Sequence, residues 1–472
     1  MTEPTNPANE NHTLSRRTFL QASGLAVAAA AAASPAAHAG TARCATARRE
    51  APRNVIFMVS DGMSAGTLTL GSLVLREMHG ERSAWLDLLA TPGARRSLAS
   101  THSADCWVTD SAAGGCAWSI GRHVNNGTVN LTPDEQMLSP LLVRAKARGF
   151  STGLVTTTTV THATPAAFIA NVPERSREAA IAAQIMQRGV DVCLGGGRQF
   201  FNDDLRAAHA DVRIHDTLPD LASVDAGTRH LGLYADSHMP YVLDREATVP
   251  SLPGMTRAAL SHLARNPGGF VLQVEGGRVD HAAHSNDASS LVAEQIEFER
   301  ALRAAMEFTL GRDDTLLITT TDHGNANPGL TLYDRKDSGI LARLTGATRS
   351  FDWVVPRLRD AAENNTLGSL IAEASGGFEM SADDEAFLRR GLVDRQRTDP
   401  FLARSRSTTS LLGSMLANYH GVSFLSPNHT ADMVEVAAIG PGAELIEPVI
   451  DNIDLQSVMQ RVLGLPDPEP MG

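Results

Sequence analysis

A broadly basic surface is the first thing this sequence lacks. Its 472 residues carry 41 Lys and Arg against 53 Asp and Glu, a formal net charge of −12. That balance argues against nucleic-acid binding through a wide positive face. Removing the first 39 residues leaves the charge unchanged, because Arg16 and Arg17 offset Glu3 and Glu10. An anionic substrate would therefore have to be drawn in by a local cationic site. Beyond the N-terminus there is no apolar run approaching the roughly 20 residues that span a bilayer. Cysteine is scarce: Cys44, Cys106, Cys116 and Cys193 are the four, and their spacing is no zinc-finger signature. There is no sequence repeat. Gly195-Gly196-Gly197-Arg198 follows a strand but lacks the G-x-G-x-x-G pattern and the immediate helix of a dinucleotide loop.

The chain is long enough for one large domain or two ordinary ones, and 43% apolar residues supply a sizeable core. The N-terminus reads as an export signal. Ser15-Arg16-Arg17-Thr18-Phe19-Leu20 precedes an Ala-rich run from Ala22 to Ala33 and the small-x-small site Ala37-His38-Ala39. Twin arginines, a modest apolar stretch and that cleavage site indicate a twin-arginine signal over residues 1–39. The partner implied is the twin-arginine export machinery, with a periplasmic or secreted destination. Export permits a Cys106–Cys116 disulfide, although Cys116 and Cys193 read better as buried or free thiols.

After a polar tail at 40–52, Asn54 to Ser60 is a continuous apolar run, the mark of a strand buried on both faces of a parallel sheet. Strands are also expected at Ser151 to Thr158, Val190 to Leu194, Phe270 to Glu275, Thr315 to Thr321 and Val434 to Ala438. Helices alternate with them at Leu141 to Arg148, Glu178 to Gln187, Thr256 to Ala264, Ser289 to Leu310 and Leu455 to Leu463. This is an α/β fold with a mostly parallel central sheet and helices on both faces. From about 328 to 426 the pattern breaks into polar, glycine-containing stretches with short helices, read as an insertion near the active-site edge of a single domain over 53–472. Gly149-Phe150-Ser151-Thr152-Gly153 matches the G-x-S-x-G pattern, but helix precedes strand here, the reverse of a nucleophile elbow.

Chemistry gathers at predicted strand ends, where open α/β sheets place ligands. Ser111 follows Asp110 and precedes Ala112-Ala113-Gly114-Gly115, a serine presented at a helix start where small residues permit close approach. A serine hydroxyl is a poor nucleophile until a base or metal activates it. Asp61 ends the first strand. Glu275-Gly276-Gly277-Arg278-Val279-Asp280-His281-Ala282-Ala283-His284 supplies two carboxylates and two imidazoles, and Asp322-His323 and His429-Thr430 add more. Asp and His suit catalytic zinc, whereas Glu, Asp and Thr oxygens suit magnesium.

These stretches, in this order, resemble the alkaline phosphatases, a metal-dependent superfamily. They are Val55 to Met63, Val108 to Ala113, His162-Ala163-Thr164-Pro165 with Arg175, Gln273 to His284, Thr321-Asp322-His323 and His429-Thr430. The resemblance covers roughly residues 53–330 and 425–460. It implies Ser111 as the nucleophile that becomes phosphorylated. It implies one zinc on Asp280, His284 and His429, a second on Asp61, Asp322 and His323, and a magnesium on Asp61, Thr164 and Glu275. Arg175 would clamp two phosphate oxygens with its planar fork, and Arg177 is the neighbour with which it could be confused. His162 and His281 stand where some bacterial members carry aspartate and lysine, so the third site could instead hold zinc. The cations and Arg175 bring about +7, the four carboxylates return about −4, and a deprotonated Ser111 leaves about +2, which balances a phosphate monoester dianion. Two in-line displacements imply retention at phosphorus. Family members are commonly homodimers.

Within the superfamily a phosphodiesterase is the nearest rival, though it has less use for an arginine on two oxygens. A phosphate-shuttling mutase is another. A sulfatase would need a C/S-x-P-x-R pattern, which Ser111-Ala112-Ala113-Gly114-Gly115 is not. A non-catalytic periplasmic phosphate- or metal-binding protein would leave the setting of Ser111 without a purpose.

Overall fold

The computed structural model describes residues 54–333, 335–336, 339–393 and 407–471. The export signal, the tail to residue 52 and Cys44 lie outside the described residues. Ten strands form one sheet: β1 (Asn54–Val59), β2 (Arg95–Ser100), β3 (Ser151–Thr159), β4 (Val192–Gly196), β5 (Val212–His215), β6 (Arg229–Leu233), β7 (Phe270–Glu275), β8 (Thr315–Thr320), β13 (Val434–Ile439) and β14 (Val449–Asp451). Short strands β9 (Gly324–Asn325) and β12 (His429–Thr430) form a two-stranded ladder, as do β10 (Gly329–Leu330) and β11 (Val422–Ser423). The sheet order is β14-β2-β13-β8-β1-β7-β3-β4-β6-β5. β13 runs antiparallel to both neighbours, and the other pairs are parallel.

β1 sits between β7 and β8, and every one of its residues is buried. Its side chains alternate between two cores, as the two-residue period of a strand requires. Val55, Phe57 and Val59 join Trp118 and Phe168 on one face, while Ile56 and Met58 join Trp85 and Phe298 on the other. Phe57 lies 5.0 Å from the Trp118 ring and 5.6 Å from Phe168, centroid to centroid. Truncating a ring so enclosed costs about 3–5 kcal/mol. The core therefore fixes where β1 ends, and with it where Asp61 stands.

Several elements differ in detail from the sequence expectation. The helix placed from Thr256 begins at Leu252, because Ser251 caps it by accepting from the Gly254 N–H at 3.3 Å and Pro253 suits its first turn. β4 continues through Gly196, and the chain turns at Gly197, whose φ is +99°. Ser151 opens β3 directly after a helix, as the reversed order at 149–153 requires. Cys106 and Cys116 are not bonded: both are free thiols, one exposed and one buried. The Cys116 sulfur instead accepts the Asn130 N–H at 3.0 Å, and burial pushes its thiol up to about 12.

Residues 340–393 and 407–420 are more organised than their composition suggests. Helices Ile340–Thr345, Phe351–Val354, Leu358–Glu363, Leu367–Ser375, Ala382–Val393 and Thr408–His420 occupy this stretch. Phe351, Leu358, Ile371, Leu388, Leu412 and Leu416 form an apolar cluster of their own. Phe351 N–H donates to the Asp287 carboxylate at 2.8 Å, and Arg278 bonds Asp352 at 2.6 Å, tying this cluster to the sheet domain.

Candidate active site

The three central strands deliver their last residues to one edge. Asp61 follows β1, Glu275 closes β7, and Asp322 and His323 follow β8. All four side chains are buried. Gly62 has φ +67°, and a Cβ there would lie 2.4 Å from an Asp280 carboxylate oxygen. Only glycine lets the chain turn so close to that ligand.

Ser111 is the first residue of a helix, Ser111–Ile120, that is buried throughout. Asp110 caps it, accepting the Ala113 N–H at 3.0 Å. Added Cβ atoms on Gly114 and Gly115 would stand 2.9 Å from Asp322 Cβ and 2.7 Å from Ala167 Cβ. The run of tiny residues thus seats the helix against the end of β8 and the helix Ala163–Ile169. Ser111 Oγ lies 3.3 Å from His323 Nε2.

Three donor sets converge beyond that hydroxyl, linked by shared residues: Asp280 between the first and second, Asp61 between the second and third. In the first, the Nε2 atoms of His284 and His429 are 2.9 Å apart and lie 3.3 and 3.5 Å from the Asp280 carboxylate. Their Nδ1 atoms meet backbone carbonyls, Pro427 at 2.7 Å and Thr109 at 2.9 Å. Nδ1 is therefore the donor in each neutral ring, leaving two Nε2 lone pairs facing each other and a carboxylate. Without a metal, a proton on His284 relieves that repulsion; a metal cation held by all three groups would take its place, and the carbonyls fix the rings as outer partners of a metal ligand do.

In the second set His323 Nε2 is 3.1 Å from Asp322 and 3.9 Å from Asp61. One atom each of Asp61, Asp280 and His323 falls within 4.8 Å of the others. The third set joins Asp61, His162 and Glu275 within the same span, and the Thr164 hydroxyl donates to Asp61 at 3.3 Å. The other Glu275 oxygen accepts from the hydroxyls of Thr156 and Thr158 in β3.

Asp61 Oδ1, Asp322 Oδ2, Glu275 Oε1 and His162 Nδ1 are buried without a hydrogen-bond partner. Buried carboxylates are tolerated only when paired or holding metal. Burial, followed by Asp322, Asp280 and Glu275, pushes the Asp61 carboxyl well above its usual range. Burial disfavours the charged form of His284, yet Asp280 lifts it to about 9. Burial and then His323 push His429 down to about 4. The donor chemistry therefore fits divalent cations.

Arg175 reaches the same centre. It donates to Asp110 at 3.0 Å and to His162 Nε2 at 3.0 Å. Arg177 lies outside, at the start of the helix Glu178–Gln187, 3.8 Å from Glu174. His281 accepts from Arg278 at 2.8 Å, and its ring centroid is 5.5 Å from that of His162. His238 also belongs here, 4.6 Å from His281 between ring centroids, and burial followed by His162 pushes it down to about 3. It sits in a loop rather than at a strand end, so no sequence signal marked it. Asn325 was missed likewise: it donates to the Asp280 carboxylate at 2.7 Å.

The family model for alkaline phosphatase matches residues 52–465. The chain belongs to the alkaline phosphatase family. It is 28% identical to alkaline phosphatase 4 of Bacillus subtilis over 87% of this chain and 88% of that one. It is 32% identical to streptomycin-6-phosphate phosphatase of Streptomyces griseus, over 62% of this chain and 78% of that one. Its fold resembles the crystal structure of Thermus thermophilus alkaline phosphatase, with a TM-score of 0.81 and 31% identity, covering 89% and 93% of the two chains. The mostly parallel sheet is thus an alkaline phosphatase sheet, and the chain is a phosphoric monoester hydrolase. Among the described residues no helix is long and apolar enough to cross a membrane.

Proposed function

We propose that this alkaline phosphatase hydrolyses small phosphate monoesters through a phosphoserine on Ser111, at a centre built for two zinc ions and one magnesium. One observation carries the reading: the Ser111 hydroxyl stands 3.3 Å from His323, a member of one of three converging donor sets. Asp280, His284 and His429 would hold one zinc, and Asp61, Asp322 and His323 the other. Asp61, Thr164 and Glu275 would hold magnesium, with His162 close enough to favour zinc in its place. Bound there, such cations offset the phosphate charge and favour the deprotonated forms of the attacking hydroxyl and water.

The protein does the positioning. Arg175, already oriented by Asp110 and His162, presents its fork to two phosphate oxygens. The N-terminal end of the Ser111 helix favours an anion beside it. Ser111 Oγ attacks phosphorus after giving its proton to solvent, and the departing ester oxygen takes up a proton from water to leave as the alcohol. Water then attacks phosphorus from the side opposite Oγ, releasing inorganic phosphate and restoring the serine hydroxyl. Two displacements retain configuration. We also propose export through the twin-arginine route, which Arg16→Lys with Arg17→Lys should block.

Ser111→Ala tests the central claim. Monoester turnover should vanish while the metal content of the purified protein stays the same. Retained turnover, or inversion at phosphorus in the wild type, would refute the phosphoserine step.

A further inference from the structure

His102, His123 and Asp451 converge in a place the phosphatase reaction does not use. His102 lies just beyond β2, His123 follows the turn that ends the Ser111 helix, and Asp451 is the last residue of β14. The parallel register of β14 on β2 sets Asp451 opposite Ser100, which brings its carboxylate beside His102. Gly121, at φ +63°, ends the helix and turns the chain so that His123 reaches the same point.

Both rings aim Nε2 at one atom. His123 Nε2 is 3.1 Å and His102 Nε2 3.6 Å from Asp451 Oδ2. The imidazoles stack with centroids 4.1 Å apart and planes 28° from parallel. His102 Nδ1 is 3.0 Å from the Ser103 carbonyl, so in the neutral ring Nδ1 carries the proton and Nε2 turns a lone pair toward the carboxylate. Two protonated rings stacked this closely repel each other. In the neutral His102 ring of this tautomer the Nε2 lone pair faces the carboxylate oxygen. A divalent cation among the three removes both conflicts.

We infer that His102, His123 and Asp451 form a further metal site, separate from the three donor sets of the Ser111 centre, for a zinc-class transition cation. One atom of each lies within 4.8 Å of the others. Two imidazole nitrogens and one carboxylate oxygen match zinc and its neighbours, not magnesium or calcium, which prefer oxygen alone. All three side chains are partly exposed, leaving the remaining coordination to water.

The occupant would fasten the ends of β2, β14 and the Ser111 helix to one another. It would also steady the loop that leads to Asp110. From the Ser103 carbonyl that holds His102, the Ser103 hydroxyl donates to Asp105 at 3.0 Å. The same Asp105 oxygen accepts the Asn126 N–H at 2.9 Å, and the Asn126 side-chain oxygen accepts the Asp110 N–H at 3.0 Å. Its role is structural, acting on the nucleophile only through this chain of bonds.

The test uses the full mature protein, saturated with zinc and magnesium and then dialysed. Zinc per chain is measured by plasma mass spectrometry for the wild type, His102→Gln and His123→Asn. Each variant should hold one zinc fewer than the wild type and retain monoesterase activity. Equal zinc in all three would overturn the inference. Should a variant fail to fold, anomalous diffraction at the zinc edge from wild-type crystals decides: a peak bounded by the three side chains supports the site. No peak there, which would mean a proton shared with Asp451, overturns it.

Discussion

Asp110 divides its carboxylate between two tasks: Oδ1 accepts the Ala113 N–H at 3.0 Å and Oδ2 accepts Arg175 at 3.0 Å. The residue that caps the nucleophile helix therefore also aims the phosphate clamp. Gly127 N–H, at 3.0 Å from Oδ2, fixes the carboxylate in turn.

Asp110→Asn separates these tasks. Asparagine caps a helix about as well as aspartate, but its amide nitrogen would face the Gly127 N–H, so a modest loss of stability, about 1 kcal/mol, is expected. The charge-assisted hold on Arg175 is lost, and about 1 kcal/mol of such a contact corresponds to roughly a fivefold change in affinity. Inorganic phosphate should inhibit the variant about fivefold more weakly. An unchanged inhibition constant would show that Arg175 needs no help from Asp110.

Gly62→Ala probes the metal cradle through the backbone. The new Cβ would meet the Asp280 oxygen at 2.4 Å from a residue held at φ +67°. Either Asp280 swings away or the turn after β1 rearranges, and both damage the first two donor sets. Expected is a loss of bound metal and a fall in kcat of a hundredfold or more on the order of a misplaced catalytic group, with circular dichroism near normal. Full metal content with full activity would contradict the proposed ligand geometry.

The parts of this site that could be read from the sequence share one physical cause. Largely apolar, buried runs mark β1, β7 and β8, so Asp61, Glu275 and Asp322 announce themselves as the first charged groups at their ends. β2 hid because exposed Arg95, Arg96 and Leu98 alternate with buried Ser97 and Ala99, leaving no apolar run. β5 and β14 are short strands at the sheet edges and are little buried, and β6 is five residues with Arg229, His230 and Gly232 breaking any apolar run. His238 and Asn325 join the centre only through tertiary packing. The apolar cluster around Phe351 and Leu412 was illegible for another reason: three of its helices, Phe351–Val354, Leu358–Glu363 and Leu367–Ser375, are nine residues or shorter, so periodicity does not accumulate there.

Substituting His162 asks what occupies the third donor set. The imidazole faces Glu275, with His162 Nδ1 3.9 Å from Oε1. His162→Asp replaces a borderline nitrogen donor by a hard oxygen, and magnesium favours oxygen ligands. The variant should bind magnesium more tightly, and its activity should depend more steeply on added magnesium than that of the wild type. Magnesium titration of the zinc-loaded protein measures this. Identical titration curves would place His162 outside the third set.

Glu294 links stability to pH at a distance from the metal centre. It is buried on the helix Ala288–Thr309, where its carboxylate accepts the Val242 N–H at 2.7 Å. Burial, and then the nearby Glu297 charge, raise it from 4.5 to about 7 against the pull of Arg245. A carboxyl whose folded pKa is raised favours folding below its unfolded value, and that contribution is lost as pH rises from 4.5 through about 7. Glu294→Gln keeps the acceptor for Val242 but can never ionise. Wild type and variant should have similar stability near pH 4.5, diverge as pH climbs, and differ by about 3 kcal/mol in the variant's favour above pH 7, taking 1.36 kcal/mol per pKa unit. Urea unfolding at pH 5 and pH 9 measures the divergence. A constant difference across that range would mean that Glu294 does not titrate between those limits in the folded protein.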